Sequence, residues 1–150
     1  MTGQARQQQK VFELLLIDDS PSDVRLTDEA LKETKIRYHL QVAADGLQGI
    51  QRLRRETPYE NTRRPDMILL DWNMPGMDGR EVLRTIKQDQ ALRDIPVVVL
   101  TTSQAEVDVL GAYDLHANCY ITKPVNILQF FEVISAVEKF WLGTATLPNR

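Results

Sequence analysis

The sequence predicts an α/β protein in which five parallel strands form a doubly wound sheet with helices on both faces. Three observations support this fold class. Short apolar runs alternate five times with segments of helical spacing, which is typical of a parallel sheet. Most of these runs are apolar almost throughout, as expected for strands covered on both faces. The length of 150 residues suits one domain with a sizeable core and leaves no room for a second.

The folded domain is predicted to span residues 11–142. Residues 1–10 are rich in Gln and poor in apolar side chains, so we expect a disordered lead-in there. Residues 143–150 are assigned to a C-terminal tail.

The first strand and helix have clear local signals. Residues 11–17 form a mainly apolar run, which predicts a buried strand. Ser20 is predicted as the N-cap of the following helix and Pro21 as its first residue, and Asp23 places a carboxylate near the positive helix terminus.

The rest of the chain continues the alternation. Helices are predicted to include residues 47–53, 82–86, 105–115 and 127–142, and the polar segment 57–65 is predicted as a loop. Strands are predicted at residues 38–43, 67–71, 96–102 and 119–122. Residues 73–79 are dense in turn-forming residues.

Composition narrows the function classes. The net charge of −3 and the isoelectric point near 5.4 give no broad attraction to nucleic acid or anionic membrane. Cys119 is the single cysteine, so an internal disulfide is excluded, which fits a reducing compartment. We interpret Cys119 as a small core residue. No signal peptide or long apolar span is visible, so we expect a cytoplasmic protein.

Polar side chains collect where the predicted strands end. Asp18 and Asp19 follow strand one, Asp71 ends strand three, Thr101 ends strand four, and Lys123 follows strand five. Ligands of open parallel sheets bind beyond these carboxyl ends, at the point where the strand order reverses. With a strand order of 2-1-3-4-5, strands one and three are neighbours there, so the three acids are expected to converge.

Three adjacent carboxylates repel one another unless some are protonated or a cation lies among them. The candidate ligands are hard oxygen atoms without His or Cys, which favours Mg²⁺ over Zn²⁺. A carboxylate held there can attack phosphorus and form an aspartyl phosphate. Mg²⁺, the Lys123 ammonium and the Thr101 hydroxyl would stabilise the charge during this transfer.

Each feature also has an ordinary explanation when it is taken alone. An Asp pair before a helix is often a cap, and a single Asp after a strand is often a turn former. Their joint placement at the ends of four strands favours the functional interpretation.

The chain resembles the response-regulator receiver family over about residues 11–142. The matching segments are Leu16-Ile17-Asp18-Asp19-Ser20, Leu70-Asp71-Trp72-Asn73-Met74-Pro75-Gly76-Met77-Asp78-Gly79, Val99-Leu100-Thr101 and Tyr120-Ile121-Thr122-Lys123-Pro124. The resemblance implies a flavodoxin-like receiver fold and a phosphoacceptor signalling protein. Such a protein is not an enzyme and has only intrinsic phosphorylation and dephosphorylation chemistry.

The resemblance also implies roles for individual residues. Asp71 would be phosphorylated by a histidine kinase, and Thr101 and Lys123 would contact the phosphoryl group. Tyr120 would change rotamer with phosphorylation, and a cis peptide bond would precede Pro124. Mg²⁺ would be bound through the side chains of Asp19 and Asp71, the backbone carbonyl of Asn73, and a water on Asp18.

A narrower likeness points to the small response regulators paired with bacterial and cyanobacterial phytochromes. It is carried by residues 57–65, 113–116, 118–123 and 140–148. It implies a phytochrome as the histidine kinase and a homodimer as the assembly. A receiver that drains or relays phosphate for another histidine kinase remains an alternative.

The last predicted helix supports a partner surface independently. Most of its apolar residues share one stripe, which is enough to cover a sheet; they are Ile127, Phe130, Phe131, Ile134, Val137 and Trp141. Val133 and Phe140 lie off that stripe and form the candidate partner face. Alternatively, the tail could fold back over these two residues.

Three other functions fit these residues less well. A phosphatase of the haloacid-dehalogenase type would need a second acid two residues after Asp71, where Asn73 stands. A flavin-binding module would need a loop after strand one that attracts phosphate, whereas the loop here is acidic. A structural or DNA-binding role is disfavoured by the acidic charge and the missing effector domain.

Overall fold

The computed structural model describes residues 11–102 and 119–123, together with the helical residues 128, 132 and 135. Within these ranges the elements are β1 (Phe12–Ile17), α1 (Pro21–Glu33), β2 (Tyr38–Ala43), α2 (Gly46–Leu53), β3 (Met67–Asp71), α3 (Gly79–Gln88), β4 (Val97–Thr101) and β5 (Cys119–Thr122). The predicted helix 105–115, most of the helix 127–142, the lead-in, the tail, Pro124, Val133 and Phe140 lie outside the described residues.

The five strands form one parallel sheet in the order β2-β1-β3-β4-β5, which confirms the predicted fold class and strand order. Strand β1 pairs with β2 on one side and with β3 on the other. From β1 the chain proceeds to one side of the sheet, to β2, and later to the other side, to β3. The strand order therefore reverses between β1 and β3, and the carboxyl ends of these two strands lie side by side.

The core has two layers because successive residues of each inner strand face opposite sides of the sheet. Leu15 and Ile17 belong to one cluster, and Leu14 and Leu16 belong to the other. All residues of β1, β3 and β4 are buried. Full burial of one such aliphatic side chain contributes roughly 1.5–3 kcal/mol, so these strands form a rigid base for the residues at their ends.

Helix starts follow the expected capping chemistry. The Ser20 hydroxyl accepts a hydrogen bond from the Asp23 N–H at 3.3 Å, and Pro21 begins α1, as predicted. Asp45 and Asp78 cap α2 and α3 in the same way. These caps fix the direction in which each helix leaves the edge of the sheet.

Some element boundaries differ from the predictions. Strand β1 begins at Phe12 rather than at residue 11, and β4 covers Val97–Thr101 rather than 96–102. Pro96 lies outside β4 because it has no N–H to donate to the ladder. In α2, Leu47 has helical spacing with the buried Ile50 but is 59% exposed. Segment 57–65 contains no helix or strand, as expected for a loop. Among the described helices, none is long and apolar enough to span a bilayer.

Candidate functional site

Backbone hydrogen bonds between neighbouring strand ends position the candidate site. The Asp18 N–H donates to the Ala43 carbonyl at 3.0 Å, which continues the β1–β2 pairing beyond β1. Asp71 is the last residue of β3 and is paired with Leu100 of β4. On the far side, the Lys123 N–H donates to the Thr101 carbonyl at 2.6 Å. The sheet itself therefore sets the spacing between these residues.

The structure brings together the three acids that the sequence placed at strand ends. Asp18, Asp19 and Asp71 each offer a carboxylate oxygen, and these oxygens all lie within 4.8 Å of one another. Asp18 and Asp71 are buried, whereas Asp19 is exposed. The cluster therefore has an inner part shielded from solvent and an outer part open to it.

Hydrogen bonds hold the two buried carboxylates. Oδ1 of Asp18 accepts the Ser20 N–H at 3.0 Å, which ties this acid to the start of α1. Oδ1 of Asp71 accepts the Asn73 N–H at 3.2 Å within the turn that follows β3. Both side chains are thus oriented by local backbone donors.

The Lys123 ammonium enters the cluster from the β5 side. Its Nζ lies 3.0 Å from Oδ2 of Asp18, 2.8 Å from Oδ2 of Asp23 and 3.3 Å from Oδ1 of Asp71. Burial alone would lower the pKa of Lys123, but the hydrogen bonds that it donates to Asp23 and Asp18 and the charges of Asp18 and Asp71 raise this pKa overall. The side chain therefore remains a cation at neutral pH.

The carboxyl group of Asp71 is a weaker acid than an ordinary aspartate. Burial and the neighbouring Asp18 charge raise its pKa to about 6, against opposing contributions from Lys123 and the Asn73 N–H. The ionised form of Asp71 is therefore destabilised by burial and by the Asp18 charge. A further positive charge at the cluster would stabilise the ionised form.

The donor set fits a hard divalent cation. Mg²⁺ binds oxygen at about 2.1 Å in octahedral geometry, which places its ligand oxygens roughly 3–4 Å apart. The acid oxygens, all within 4.8 Å of one another, need only small movements to reach that spacing. No His or Cys takes part in this cluster, so its chemistry suits Mg²⁺ or Mn²⁺ better than Zn²⁺.

The remaining candidate residues of the described segments are Thr101, Asn73 and Tyr120. Thr101 is fully buried at the end of β4, opposite Thr122 of β5. Asn73 is exposed in the turn after β3. Tyr120 is half-buried, pairs with Val99, and packs against one of the two core clusters. Thr101 and Tyr120 thus lie on the adjacent strands β4 and β5.

Two further residues near the site become evident only in the folded structure. Asp23 is predicted as an acid near a helix start, and it also contacts Lys123. Gly79 was grouped with the turn formers, but a Cβ there would lie 2.7 Å from Cα of Trp72 and 2.9 Å from the carbonyl oxygen of Asp71. The first contact depends on residues 100 positions apart, and no local pattern signals it.

The fold and the acid cluster together define a class of protein: the α/β receivers of two-component signalling. Residues 14–135 match the family model described as the response regulator receiver domain. The chain belongs to this family.

Individual relatives make the likeness more specific. The response regulator Rcp1 of Synechocystis sp. is 50% identical over 135 residues, which cover 90% of this chain and 92% of that protein. The phosphorylated cyanobacterial phytochrome response regulator RcpA is 47% identical, with a TM-score of 0.73, over 93% of this chain and 100% of that chain. The Mn(2+)-bound form of Rcp1 is 49% identical, with a TM-score of 0.71, over 91% and 99% of the respective chains.

Family membership decides between the function classes. The chain is a response regulator receiver of a two-component phosphorelay, in which receivers take phosphoryl groups from histidine kinases. It is a signalling protein, which disfavours the phosphatase, the flavin-binding module and the DNA-binding role. Receivers bind a divalent ion at an acidic pocket, and Asp18, Asp19 and Asp71 form an acidic cluster at the corresponding edge of the sheet.

Proposed function

We propose that Asp71 accepts the phosphoryl group and that Mg²⁺ is the ion bound beside it. One observation carries the assignment. Asp71 is a buried carboxylate at the end of a central strand, grouped with Asp18 and Asp19 and 3.3 Å from the Lys123 ammonium. Asp18 shares the burial and the contact with Lys123, but it follows the end of β1, whereas Asp71 is itself the last residue of β3, the middle strand of the sheet.

This geometry supports the following transfer step. A carboxylate oxygen of Asp71 forms a bond to phosphorus while the bond from phosphorus to the donor's histidine nitrogen breaks, and that nitrogen keeps the electron pair. Lys123 remains protonated and neutralises part of the charge on the phosphoryl oxygens. The raised pKa of Asp71 reflects a carboxylate that gains from an added cation.

The metal would be held by Asp18, Asp19, Asp71 and the backbone carbonyl of Asn73. When bound there, Mg²⁺ supplies positive charge for the developing phosphoryl charge. Asp18 would act through a water, since its own oxygens already accept hydrogen bonds from Ser20 and Lys123.

Thr101 and Tyr120 are proposed to report the phosphorylation state. Thr101 is buried at the end of β4, the strand paired with Asp71 through Leu100. A shift of Thr101 toward a phosphoryl group would leave space on the β5 side, where Tyr120 is half-buried. The two residues would then couple chemistry at Asp71 to the surface beyond β5.

The proposed donor is a phytochrome histidine kinase, and the proposed assembly is a homodimer. The likeness to RcpA, described as a phytochrome response regulator, supports the first proposal. The apolar flank of Val133 and Phe140 in the sequence supports the second. We place the protein in the cytoplasm because the ATP that charges a histidine kinase is found there.

The assignment is tested by phosphorylation with acetyl phosphate and with purified histidine kinases, including a phytochrome. Wild-type protein should acquire one phosphoryl group that hydroxylamine removes, because an acyl phosphate is cleaved by that nucleophile. Asp71→Asn should acquire none, and a chelator should abolish labelling of the wild type. Asp94→Asn is a matched control, since Asp94 is an exposed acid distant in sequence from the strand-end cluster.

Retention of hydroxylamine-labile phosphate in Asp71→Asn would refute the acceptor assignment. Equal transfer from a phytochrome and from unrelated kinases would refute the specific pairing while leaving the acceptor role intact.

A further inference from the structure

The Lys123 ammonium is shared among three carboxylates, and only one of them stands apart from the metal cluster. Asp18 and Asp71 are two of the three acids whose oxygens lie within 4.8 Å of one another. Asp23, in the first turn of α1, makes the shortest of the three contacts at 2.8 Å and is not part of that group.

We propose that Asp23 is a positioning residue, which keeps Lys123 within reach of Asp71 once a cation and a phosphoryl group occupy the site. This inference rests on the proposed function of Asp71. It assigns to Asp23 a task separate from its favourable position at a helix N-terminus.

The charges in the site explain why such an anchor is needed. In the described geometry Asp18 and Asp71 attract Lys123, at 3.0 and 3.3 Å. A divalent ion bound to these same acids neutralises them and repels the ammonium. Of the three acids that contact Lys123, Asp23 is the one with no part in the proposed metal site, so Lys123 would then be held chiefly by Asp23.

The contact between Lys123 and Asp23 also need not break for Lys123 to reach Asp71. The same Nζ atom contacts Asp23 and Asp71 simultaneously, so Lys123 can face the acceptor while it remains bound to α1. The Lys123 side chain is only 9% exposed, whereas that of Asp23 is 37% exposed. The contact thus joins a buried ammonium to a carboxylate that is partly open to solvent.

The benefit is preorganisation. A free lysine side chain loses much rotamer freedom when it is fixed beside a phosphoryl oxygen. Asp23 imposes that order before the phosphoryl group arrives, so less is lost on binding. An acid at this position should strengthen binding of the transferred group without touching it.

Beryllofluoride affinity in saturating Mg²⁺ measures this effect, because the complex imitates a phosphoryl group on Asp71. Asp23→Asn keeps an acceptor oxygen but loses the charge, and Asp23→Ala loses both. We expect affinity to fall in the order wild type, Asn, Ala, with about a tenfold loss for Ala, as for one partly exposed charge-assisted hydrogen bond. Glu29→Gln, which removes an exposed charge from the same helix, should leave the affinity unchanged.

A second readout separates positioning of Lys123 from a general effect on α1. Nuclear magnetic resonance detects a lysine ammonium only when hydrogen bonds slow its proton exchange. The Lys123 signal, assigned by its loss in Lys123→Met, should be present in the wild-type complex with Mg²⁺ and beryllofluoride and absent in Asp23→Ala.

Three results would overturn the inference: an unchanged or higher beryllofluoride affinity in Asp23→Ala, no ammonium signal in the wild-type complex, or weaker affinity with the signal retained. Failure of the proposed function looks different. In that case Asp71→Asn and wild-type protein would bind beryllofluoride alike.

Discussion

Lys123 donates a hydrogen bond to Asp18 at 3.0 Å, although the two residues are 105 positions apart in the sequence. The contact joins the loops that follow β1 and β5, strands separated in the sheet by β3 and β4. It places a fixed cation beside the acids that would bind a metal. The lysine and the metal therefore compete for the same negative charge.

This competition predicts that Lys123→Met binds Mg²⁺ more tightly than the wild type does. The ammonium lies within 3.3 Å of two of the three cluster acids, and its repulsion of a divalent ion is only partly screened. We expect about a tenfold gain in affinity by calorimetric titration at pH 8. Lys32→Met, which removes an exposed lysine from α1, is the control and should titrate like the wild type. Unchanged or weaker binding in Lys123→Met would show that the lysine does not oppose the ion.

Asp71→Asn is expected to stabilise the metal-free protein at neutral pH. The pKa of Asp71 is raised from 3.8 to about 6 by burial and by Asp18, so the folded state binds more protons than the unfolded chain between these values. The wild-type free energy of unfolding should therefore fall as pH rises through that window. The loss is on the order of 3 kcal/mol.

Urea unfolding in a chelator, followed from pH 4 to pH 8, checks the sign. Asp71→Asn cannot ionise at this position, so its advantage over the wild type should be greatest above pH 6 and shrink toward pH 4. A constant difference across the range would mean that ionisation of Asp71 is not its source.

The strands and their order follow from local patterns because the central strands are buried on both faces. The apolar runs at β1 and β3 mark such strands, and the polar residues that follow them mark the edge at which ligands bind. Ser20 and Pro21 likewise locate the start of α1, because capping depends on atoms only a few residues away.

Contacts between distant segments could not be derived in this way. The sequence shows Asp23 as an acid in a first helical turn, and its second partner depends on where β5 ends relative to α1. Leu47 has the spacing of a core residue, but the buried Gly46 and Gly49 bring α2 close to its neighbours and leave Leu47 exposed. The spacing of apolar residues therefore predicts that a helix forms, but it does not predict how much of that helix is buried.

Gly79→Ala is expected to disturb the acceptor strand. Helix α3 begins so close to the end of β3 that a Cβ at Gly79 would meet Cα of Trp72 at 2.7 Å and the carbonyl oxygen of Asp71 at 2.9 Å. Both are backbone atoms and cannot rotate away, so overpacking should cost about 1–3 kcal/mol. Mg²⁺ affinity should fall as well, because Asp71 must shift with its backbone.

Urea unfolding and a Mg²⁺ titration measure the two effects of Gly79→Ala. Gln88→Ala, at the exposed far end of the same helix, is the matched control and should change neither. A Gly79→Ala protein with wild-type stability and Mg²⁺ affinity would show that the strand end can move freely.

Self-association through the partner face of Val133 and Phe140 is the last prediction. Two apolar side chains beside a helix stripe favour burial against a second copy. Phosphorylation should strengthen that contact if Tyr120 transmits the state of Asp71 toward it. Sedimentation should therefore give a dimer at micromolar concentration that beryllofluoride and Mg²⁺ tighten.

Val133→Lys with Phe140→Lys should give a monomer, because two charges would be buried without partners. Leu26→Lys alters an apolar side chain that is 52% exposed on α1, so dissociation in that variant too would mean that the effect is not specific to this face. A wild-type monomer under both conditions would exclude the dimer itself.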